Sequence, residues 1–328
     1  MLAYTIRRIL VAIPVLLVAS MIVFTLTLFT GDPVEEKYAG RNPPVPQQTI
    51  NLERERLGLD KPVVVQYVTW LKNLVTKGDF GPSIESTRDI GGELGKRIFV
   101  TLRLIFFAIV LALVLAIISG VLSATRQYSK LDYTFTFLGF IFLAMPAFWV
   151  AVLLKQGALQ YNEATGTRTF FTIGERSVET EPGLFNAFAD IFGHMILPTI
   201  SLALITYAAW SRFQRSSMLE VLNSDYVRLA RAKGLSPRKV LVRHALRTAL
   251  IPMTTVSALG IAQLIGGAVI TETVFQWNGM GSYLITSIAT RDRYAVMGWL
   301  LVAGIFIVVG NLVADLLYGI LDPRIRYE

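Results

Sequence analysis

Six long apolar stretches dominate the chain and determine its predicted architecture. Each stretch contains about 20 or more residues without Asp, Glu, Lys or Arg, the length that an α-helix needs to cross a bilayer. Because lipid cannot satisfy open backbone groups, each stretch is predicted to be helical. The six predicted spans are Ile9–Phe29, Leu104–Thr125, Tyr133–Leu154, Ile191–Ser211, Thr248–Thr271 and Tyr294–Ala314. The pattern predicts an all-α membrane protein.

The first stretch has to be distinguished from a cleaved signal peptide, since Arg7 and Arg8 precede it. The apolar region of a signal peptide is usually only about 7–15 residues long. This stretch is longer, and no convincing small-residue cleavage site follows it. We therefore predict an N-terminal transmembrane helix over residues 1–30.

Charges are distributed unequally between the segments that join the spans. Six spans place both termini on one side, where the segments carry fifteen basic and five acidic residues. The segments on the other side carry fifteen basic and seventeen acidic residues. By the positive-inside rule, both termini are predicted to be cytoplasmic. This topology explains the net charge of +8, so no nucleic-acid partner is needed.

Residues 31–97 are predicted to form an extracytoplasmic loop that contains a helix. The helix is expected to start at Asp60-Lys61-Pro62 and to end at Gly78. The apolar positions between these points follow helical spacing and indicate an amphipathic helix on the membrane surface or on the other spans. They are Val64, Tyr67, Val68, Leu71, Leu74 and Val75.

The remaining residues, 98–328, are predicted to form a core of five helices. A second outside loop, Lys155–Asp190, is polar and acidic, without strong periodicity. A cytoplasmic loop follows the fourth predicted span and is called the basic loop here; it runs from Arg212 to Arg247 and holds nine of the fifteen inside bases.

The basic loop contains residues that are typical of the start and the end of a short helix. Ser224 is predicted to cap a helix of about nine residues that starts at Asp225, and Gly234 to end it in a left-handed conformation. Ser236-Pro237 then predicts the start of a second helix.

Two interpretations of this short helix remain open. Small residues at Ala230, Ala232 and Gly234 would let another protein approach the backbone closely, with basic residues around them. Alternatively, the loop is a solvated basic segment beside anionic lipid, which suffices to explain the charge. The order of capping residue, small residues, glycine and proline slightly favours the first interpretation, in which a partner protein docks on this helix.

Composition excludes several kinds of chemistry. The chain has no cysteine and only two histidines, His194 and His244, so thiolate chemistry is excluded and a histidine-based metal site is not expected. The segment Gly91–Arg97 lacks the spacer of a phosphate-binding loop and the Ser or Thr after its lysine. Gly-x-Ser-x-Gly and His-Glu-x-x-His motifs are also absent, which argues against an intramembrane enzyme.

Several spaced motifs resemble those of one family. The central run is Asp225-Tyr226-Val227-Arg228-Leu229-Ala230-Arg231-Ala232-Lys233-Gly234-Leu235, followed by His244-Ala245-Leu246-Arg247. Further motifs are Leu57–Pro62, Gly78–Gly81, Glu272–Gly281, Asn311–Tyr318 and Asp322–Arg326. Together they cover nearly the whole chain and resemble the permeases of ABC importers. The central run resembles the EAA loop of the dipeptide and oligopeptide branch.

The resemblance implies a permease of the type I fold in a bacterial inner membrane, paired with a second homologous permease. Two cytoplasmic ATPase domains would bind ATP and magnesium, and an extracytoplasmic solute-binding protein would deliver di- or oligopeptides. This chain would bind no cofactor or metal and would not be an enzyme. Its coupling loop, residues 212–250, would contact one ATPase through Asp225, Tyr226, Arg228, Ala230, Arg231, Ala232, Lys233, Gly234 and Leu235.

Three residues are candidates for lining a transport pathway. Pro146 and Phe148 lie in the third predicted span, and Glu272 follows the fifth. Polar or helix-breaking residues in spans often serve function because burial in lipid is costly. Ordinary helix packing explains the first two equally well, and structural bonding explains Glu272 at least as well as contact with a peptide amino terminus.

Other functions remain as alternatives. Related permeases carry nickel chelates or glutathione by the same mechanism, and the permease sequence separates these cargoes poorly. A secondary transporter or channel would belong to a different class. The spans lack the buried carboxylates of a typical proton relay, which disfavours a secondary transporter.

Overall fold

The computed structural model describes residues 2–85, 89–178 and 183–321, and these residues form helices without strands. One segment, Val240–Leu246, is a π-helix. The α-helices are α1 (Leu2–Leu28), α2 (Pro33–Tyr38), α3 (Gln47–Arg56), α4 (Val63–Lys77), α5 (Ile90–Thr125), α6 (Lys130–Ala144), α7 (Ala147–Thr165), α8 (Leu184–Leu222), α9 (Asp225–Ala232), α10 (Pro237–Lys239), α11 (Arg247–Phe275), α12 (Met280–Ala289) and α13 (Arg293–Leu321).

Four helices of the described residues are long and apolar enough to cross a membrane by themselves. They correspond to four of the six predicted spans, the first, second, fourth and sixth. These segments are Thr5–Leu28, Ile90–Thr125, Leu184–Leu222 and Arg293–Val313. The α8 helix continues for eleven residues beyond the predicted end of its span at Ser211. The first part of the basic loop is therefore a helical extension of α8.

The third predicted span, Tyr133–Leu154, is not one continuous helix. It is divided between α6 and α7, whose axes differ by 108°. The break falls at Met145 and Pro146, both of which have extended backbone conformations. Proline disfavours a helical conformation in the residue before it, and this accounts for the position of the break. The pair counts as a fifth span only if the two halves together cross the bilayer.

The fifth predicted span, Thr248–Thr271, lies inside α11, which has 29 residues. Several side chains in this helix, including those of Gln263 and Ile265, lie outside the described set, as does the motif Asp322–Arg326. The number of six spans and the cytoplasmic position of both termini therefore stay predictions.

The chain divides into two compact units. The first comprises Leu102–Trp277 together with the segment from Val309 onward, and the second comprises Leu2–Thr101 and Asn278–Val308. The functional site discussed below lies within the first unit.

In the second unit, α4 has the predicted position, and part of its predicted apolar face packs within the unit. It starts after Pro62, and Gly78 ends it with φ of +67°. Trp70 is only 3% exposed and packs in a cluster with Phe24. The residues of α4 in this cluster are Tyr67, Trp70, Leu71 and Leu74, whereas Val64, Val68 and Val75 are exposed. The apolar residues of α4 therefore pack on this unit through Tyr67, Leu71 and Leu74, and the other three predicted apolar positions lie on the surface.

The preceding helices α2 and α3 had no clear signal in the sequence analysis. They are joined by ion pairs: Lys37 Nζ lies 2.6 Å from Glu53 Oε1, and Arg54 Nη2 lies 2.6 Å from both Asp32 Oδ2 and Glu35 Oε1. Hydrogen bonds first from Arg56 and then from Lys37 lower the pKa of Glu53 to about 2.

In the first unit, the region predicted as the loop Lys155–Asp190 is largely structured at both ends. Helix α7 continues to Thr165, and α8 already begins at Leu184. The described part between them is bonded to the core: Gly174 N donates to Phe275 O at 2.9 Å, and Arg103 Nη2 lies 3.1 Å from Glu175 Oε2. Arg103 also lies over the ring of Trp277, so its partners are protein groups.

Candidate functional site

The candidate site is centred on α9, the short helix of the basic loop. It has eight residues, and Ser224 precedes it in an extended conformation, as the sequence predicts. The cap differs in detail, because Ser224 Oγ donates to Val221 O at 2.5 Å and makes no capping bond to α9. The backbone carbonyl of Ser224 accepts from Arg228 N at 3.1 Å and so begins the helix.

The end of α9 is a Schellman motif built on Gly234. Gly234 has φ of +75°, which confirms the predicted left-handed conformation. Gly234 N donates to Arg231 O at 3.0 Å, and Leu235 N donates to Ala230 O at 3.4 Å. Leu235 also packs against the apolar cluster beneath the helix. Backbone bonds and packing together fix the direction in which the chain leaves α9.

One face of α9 packs against its own protein. Val227 is fully buried and Ala230 is 6% exposed. They join an apolar cluster, called the base cluster here, that consists of Ala124, Met218, Val227, Ala230, Val240, Ala245 and Ala249. Ala230 was predicted to lie at an open surface for a partner, and this prediction is wrong. Small size at Ala230 instead lets α9 approach the base cluster.

The opposite face of α9 is open. Leu229 is 55% exposed and Tyr226 is 43% exposed, although both are large apolar side chains. Asp225 and Arg228 form an ion pair of 3.0 Å that is itself highly exposed, so its contribution to stability is small. Ala232, Lys233 and Gly234 are exposed as well. Leu229 is the part of this surface that the sequence analysis did not single out.

The segment after α9 returns to the core through an unexpected π-helix. Ser236 and Pro237 begin α10, as predicted, but without a capping bond from the serine side chain. The π-helical residues Val240–Leu246 follow and lead into α11. Val240 and Ala245 in this segment are buried in the base cluster. No short sequence motif predicts a π-helix, because its wider turn is stabilised by the surrounding packing.

A buried ion pair lies near this site and was missed by the sequence analysis, which used its charges only to assign topology. Arg215 Nε donates to Asp132 Oδ1 at 2.7 Å, and Arg215 Nη2 donates to Asp132 Oδ2 at 2.8 Å. Asp132 is 3% exposed and also accepts from Tyr128 N at 3.0 Å. The pair joins the start of α6 to α8, the helix that leads into α9.

The three candidate pathway residues have different environments. Pro146 is exposed at the break between α6 and α7, and Phe148 is 49% exposed. Glu272 is completely buried near the end of α11, and its carbonyl accepts from Trp277 N at 2.7 Å. The burial of Glu272 agrees with a role in structural bonding and not with contact to a peptide amino terminus. Its side chain does not line an open surface of this chain.

The candidate site contains no arrangement suited to a metal. Throughout residues 2–85, 89–178 and 183–321, no group of three His, Cys, Asp or Glu side chains could hold an ion. His194 Nδ1 instead lies 2.9 Å from Asp190 O, and its ring stacks on Phe171. What the site offers is a mechanical arrangement: an exposed short helix on a firmly packed base.

Comparisons with known proteins place this arrangement in a family. A family model described as the binding-protein-dependent transport system inner membrane component matches residues 112–327, and the corresponding N-terminal model matches residues 1–89. The oligopeptide transport system permease protein AppB of Bacillus subtilis is 42% identical over 100% of both chains. The oligopeptide transport system permease protein OppB of Mycobacterium tuberculosis is 40% identical over 98% of both chains.

A third relative, the dipeptide transport system permease protein DppB of Alkalihalophilus pseudofirmus, is 37% identical over 100% of both chains. Among solved structures, a chain of the MetNI methionine ABC transporter matches with a TM-score of 0.54 and 18% identity. That match covers 70% of this chain and 96% of the other, and it identifies the fold as that of a type I ABC permease. The chain therefore belongs to the family of binding-protein-dependent transport system inner membrane components.

Proposed function

We propose that this chain is one permease subunit of an ATP-driven importer that carries di- or oligopeptides across the bacterial inner membrane. The cargo is supported by the names of the full-length relatives, which are oligopeptide and dipeptide permeases. The mechanism is supported by one observation above all: α9 exposes Leu229 and Tyr226 while its other face is packed into the base cluster.

Such a helix can transmit force because both of its ends are held. The eleven-residue extension of α8 leads into α9, and the π-helical segment leads from it into α11. Packed interiors deform little, so a displacement of α9 is passed to the helices attached to it. A partner that binds α9 differently in its two nucleotide states would then shift the balance between two permease conformations.

The proposed complex contains a second homologous permease, two cytoplasmic ATPase domains and an extracytoplasmic binding protein. ATP and magnesium would be bound by the ATPase domains, so this chain would contribute no catalytic residue, cofactor site or metal site. Both termini and the basic loop would be cytoplasmic. Pro146 and Phe148, exposed at the break between α6 and α7, would border the pathway.

Labelling of single cysteines tests the position of α9, because the natural chain has no cysteine. Leu229→Cys creates a unique exposed thiol on α9, and Val178→Cys creates one in the predicted outside loop, at a residue that is fully exposed. A membrane-impermeant maleimide added to intact cells is expected to label the second variant and not the first. In the assembled complex, the first variant is expected to crosslink to the ATPase.

Transport by the reconstituted complex tests the function itself. Vesicles with all subunits are expected to accumulate a labelled peptide only when ATP and the binding protein are supplied. Accumulation by this chain alone would refute the proposal in favour of a secondary transporter. Accumulation of a nickel chelate or glutathione, but no peptide, would refute the cargo and keep the mechanism.

A further inference from the structure

A groove lies beside α9, on the flank between its packed and open faces. Its volume is about 890 Å³, within the usual range for small-molecule sites. The end of α5, the end of α8 and the segment after α9 form its walls. It is lined by apolar residues that include Leu219, Leu222, Leu235 and Leu241.

Among the residues that the structure describes, the polar lining of this groove is neutral or basic. Arg126, Arg231 and Arg238 contribute guanidinium groups, and this described lining includes no Asp or Glu. Within the described residues, none of the three guanidinium groups forms an ion pair with a carboxylate. Three unpaired cations around one groove favour an anionic ligand, and guanidinium groups bind phosphate oxygens in a two-pronged geometry.

The position of the groove indicates where such an anion comes from. Thr125 and Arg126 line it at the end of α5, which is also the end of the second predicted span, so this wall is predicted to lie where α5 leaves the bilayer. Leu219 and Leu222 belong to α8, which also contains a candidate span. A leucine surface with arginines around it matches the acyl chains and the phosphate of a phospholipid. Basic pockets between the ends of membrane helices are known to recognise anionic lipid headgroups.

We infer that this groove is a binding site for one anionic phospholipid, whose phosphate contacts Arg126, Arg231 and Arg238 and whose acyl chains lie on the leucines. The lipid fills the flank between α9 and the end of α5. It therefore supports α9 from the side while leaving Leu229 open. Arg231 and Leu235 also belong to the residues expected to contact the ATPase, so lipid binding is measured on this chain without the ATPase, and the inference does not depend on the cargo.

The test measures lipid binding to the full-length chain purified in detergent. Phosphatidylglycerol is titrated and the bound lipid is counted by native mass spectrometry, with phosphatidylcholine and inorganic phosphate as comparison ligands. The natural chain is expected to retain phosphatidylglycerol and not phosphatidylcholine, and equimolar phosphate is expected not to displace the lipid. The triple variant R126Q/R231Q/R238Q is expected to lose roughly tenfold or more of the affinity.

A matched control removes three charges from the same loop outside the groove. K239Q/R243Q/R247Q changes residues that are exposed and do not line it, and this variant is expected to bind phosphatidylglycerol normally. The single variant R126E tests the same site if the triple variant unfolds, and it is expected to weaken binding as well.

Several results would overturn the inference. These are undiminished lipid affinity in both groove variants, an equal loss in the control, equal binding of phosphatidylcholine, or displacement of the lipid by phosphate. If the triple variant lost the ATPase from the assembled complex while it kept phosphatidylglycerol, the groove would belong to a protein partner and the inference would be wrong.

Discussion

Arg215 and Asp132, 83 positions apart in sequence, form a two-pronged ion pair with N–O distances of 2.7 and 2.8 Å. The Asp132 side chain is 4% exposed and the Arg215 side chain is 27% exposed, so water screens the pair only from one side. The pair fixes the start of α6 to α8. Because α8 runs on to α9, this contact helps to hold the base from which α9 projects.

Removal of the arginine is expected to destabilise the protein strongly. Arg215→Ala leaves the Asp132 carboxylate buried without its partner, and the expected cost is roughly 3 kcal/mol, at the lower end for buried pairs because Arg215 is partly exposed. The unfolding midpoint in detergent measures the loss. Asp225→Asn breaks the exposed pair with Arg228 and is expected to change stability by less than about 0.5 kcal/mol. Similar losses in the two variants would contradict this account.

The exposed leucine of α9 is expected to be needed for coupling but not for folding. Leu229→Asp places a charge on the open face, where Leu229 is already 55% exposed and loses little burial, and should lower ATP-dependent uptake roughly tenfold. Leu52→Asp is the matched control, since Leu52 is 60% exposed on α3. Both variants should unfold at the temperature of the natural chain. Normal uptake by the Leu229 variant would show that the open face does not couple.

Gly234→Asp is expected to abolish ATP-coupled transport without preventing membrane insertion. No atom lies within 4 Å of a Cβ added to Gly234, so the cost comes from its φ of +75° and from the new charge. The left-handed conformation costs an ordinary residue roughly 1 kcal/mol. Gly166→Asp meets the same conditions, with φ of +63° and open space, in the predicted outside loop. Uptake should therefore survive in the Gly166 variant. An equal loss of uptake in the Gly166 and Gly234 variants would show that Gly234 has no special role in coupling.

The contact of α5 with α8 at Gly120 is expected to tolerate no side chain. A Cβ at Gly120 would lie 2.8 Å from Gln214 Cβ and 3.0 Å from the backbone nitrogen of Arg215. Gly120→Ala must separate the helices and is expected to destabilise the protein by about 1–3 kcal/mol. Gly157→Ala in α7 meets no atom within 4 Å, so it should leave the unfolding midpoint unchanged or raised. A stable Gly120 variant would contradict the close packing.

The contact between α2 and α3 is expected to weaken in acid. The pKa of Glu53 is lowered from 4.5 to about 2, so its ionised form stabilises the folded loop. That contribution is present in full above pH 4.5 and is lost as the pH falls toward 2. The protection of amides in α2 and α3, measured against their intrinsic exchange rates at each pH, should fall over this window, and this loss of protection is the expected acceleration. In Glu53→Gln the acceleration should shrink, and an unchanged pH profile would argue against the role of Glu53.

Local signals in the sequence were sufficient for the outline of the site. Gly234 has the left-handed conformation predicted for it, and Gly78 ends α4 as predicted, because the preference of glycine for such positions depends on a single residue with no Cβ. Helix α9 begins after Ser224, and α10 begins at Pro237, as the order of capping residues predicts. The apolar stretches predicted the positions of the long helices, because length and hydrophobicity are properties of contiguous residues.

The tertiary structure alone decided which faces are covered. Ala230 is buried and Leu229 is exposed, the reverse of what small size and hydrophobicity suggest. The covered face of α9 is set by the base cluster, whose residues come from α5, α8, the π-helical segment and α11 and lie far apart in sequence, so hydrophobicity alone does not separate the two faces. The ion pair of Asp132 with Arg215 and the π-helical segment likewise depend on residues distant in sequence or on surrounding packing, which no local pattern records.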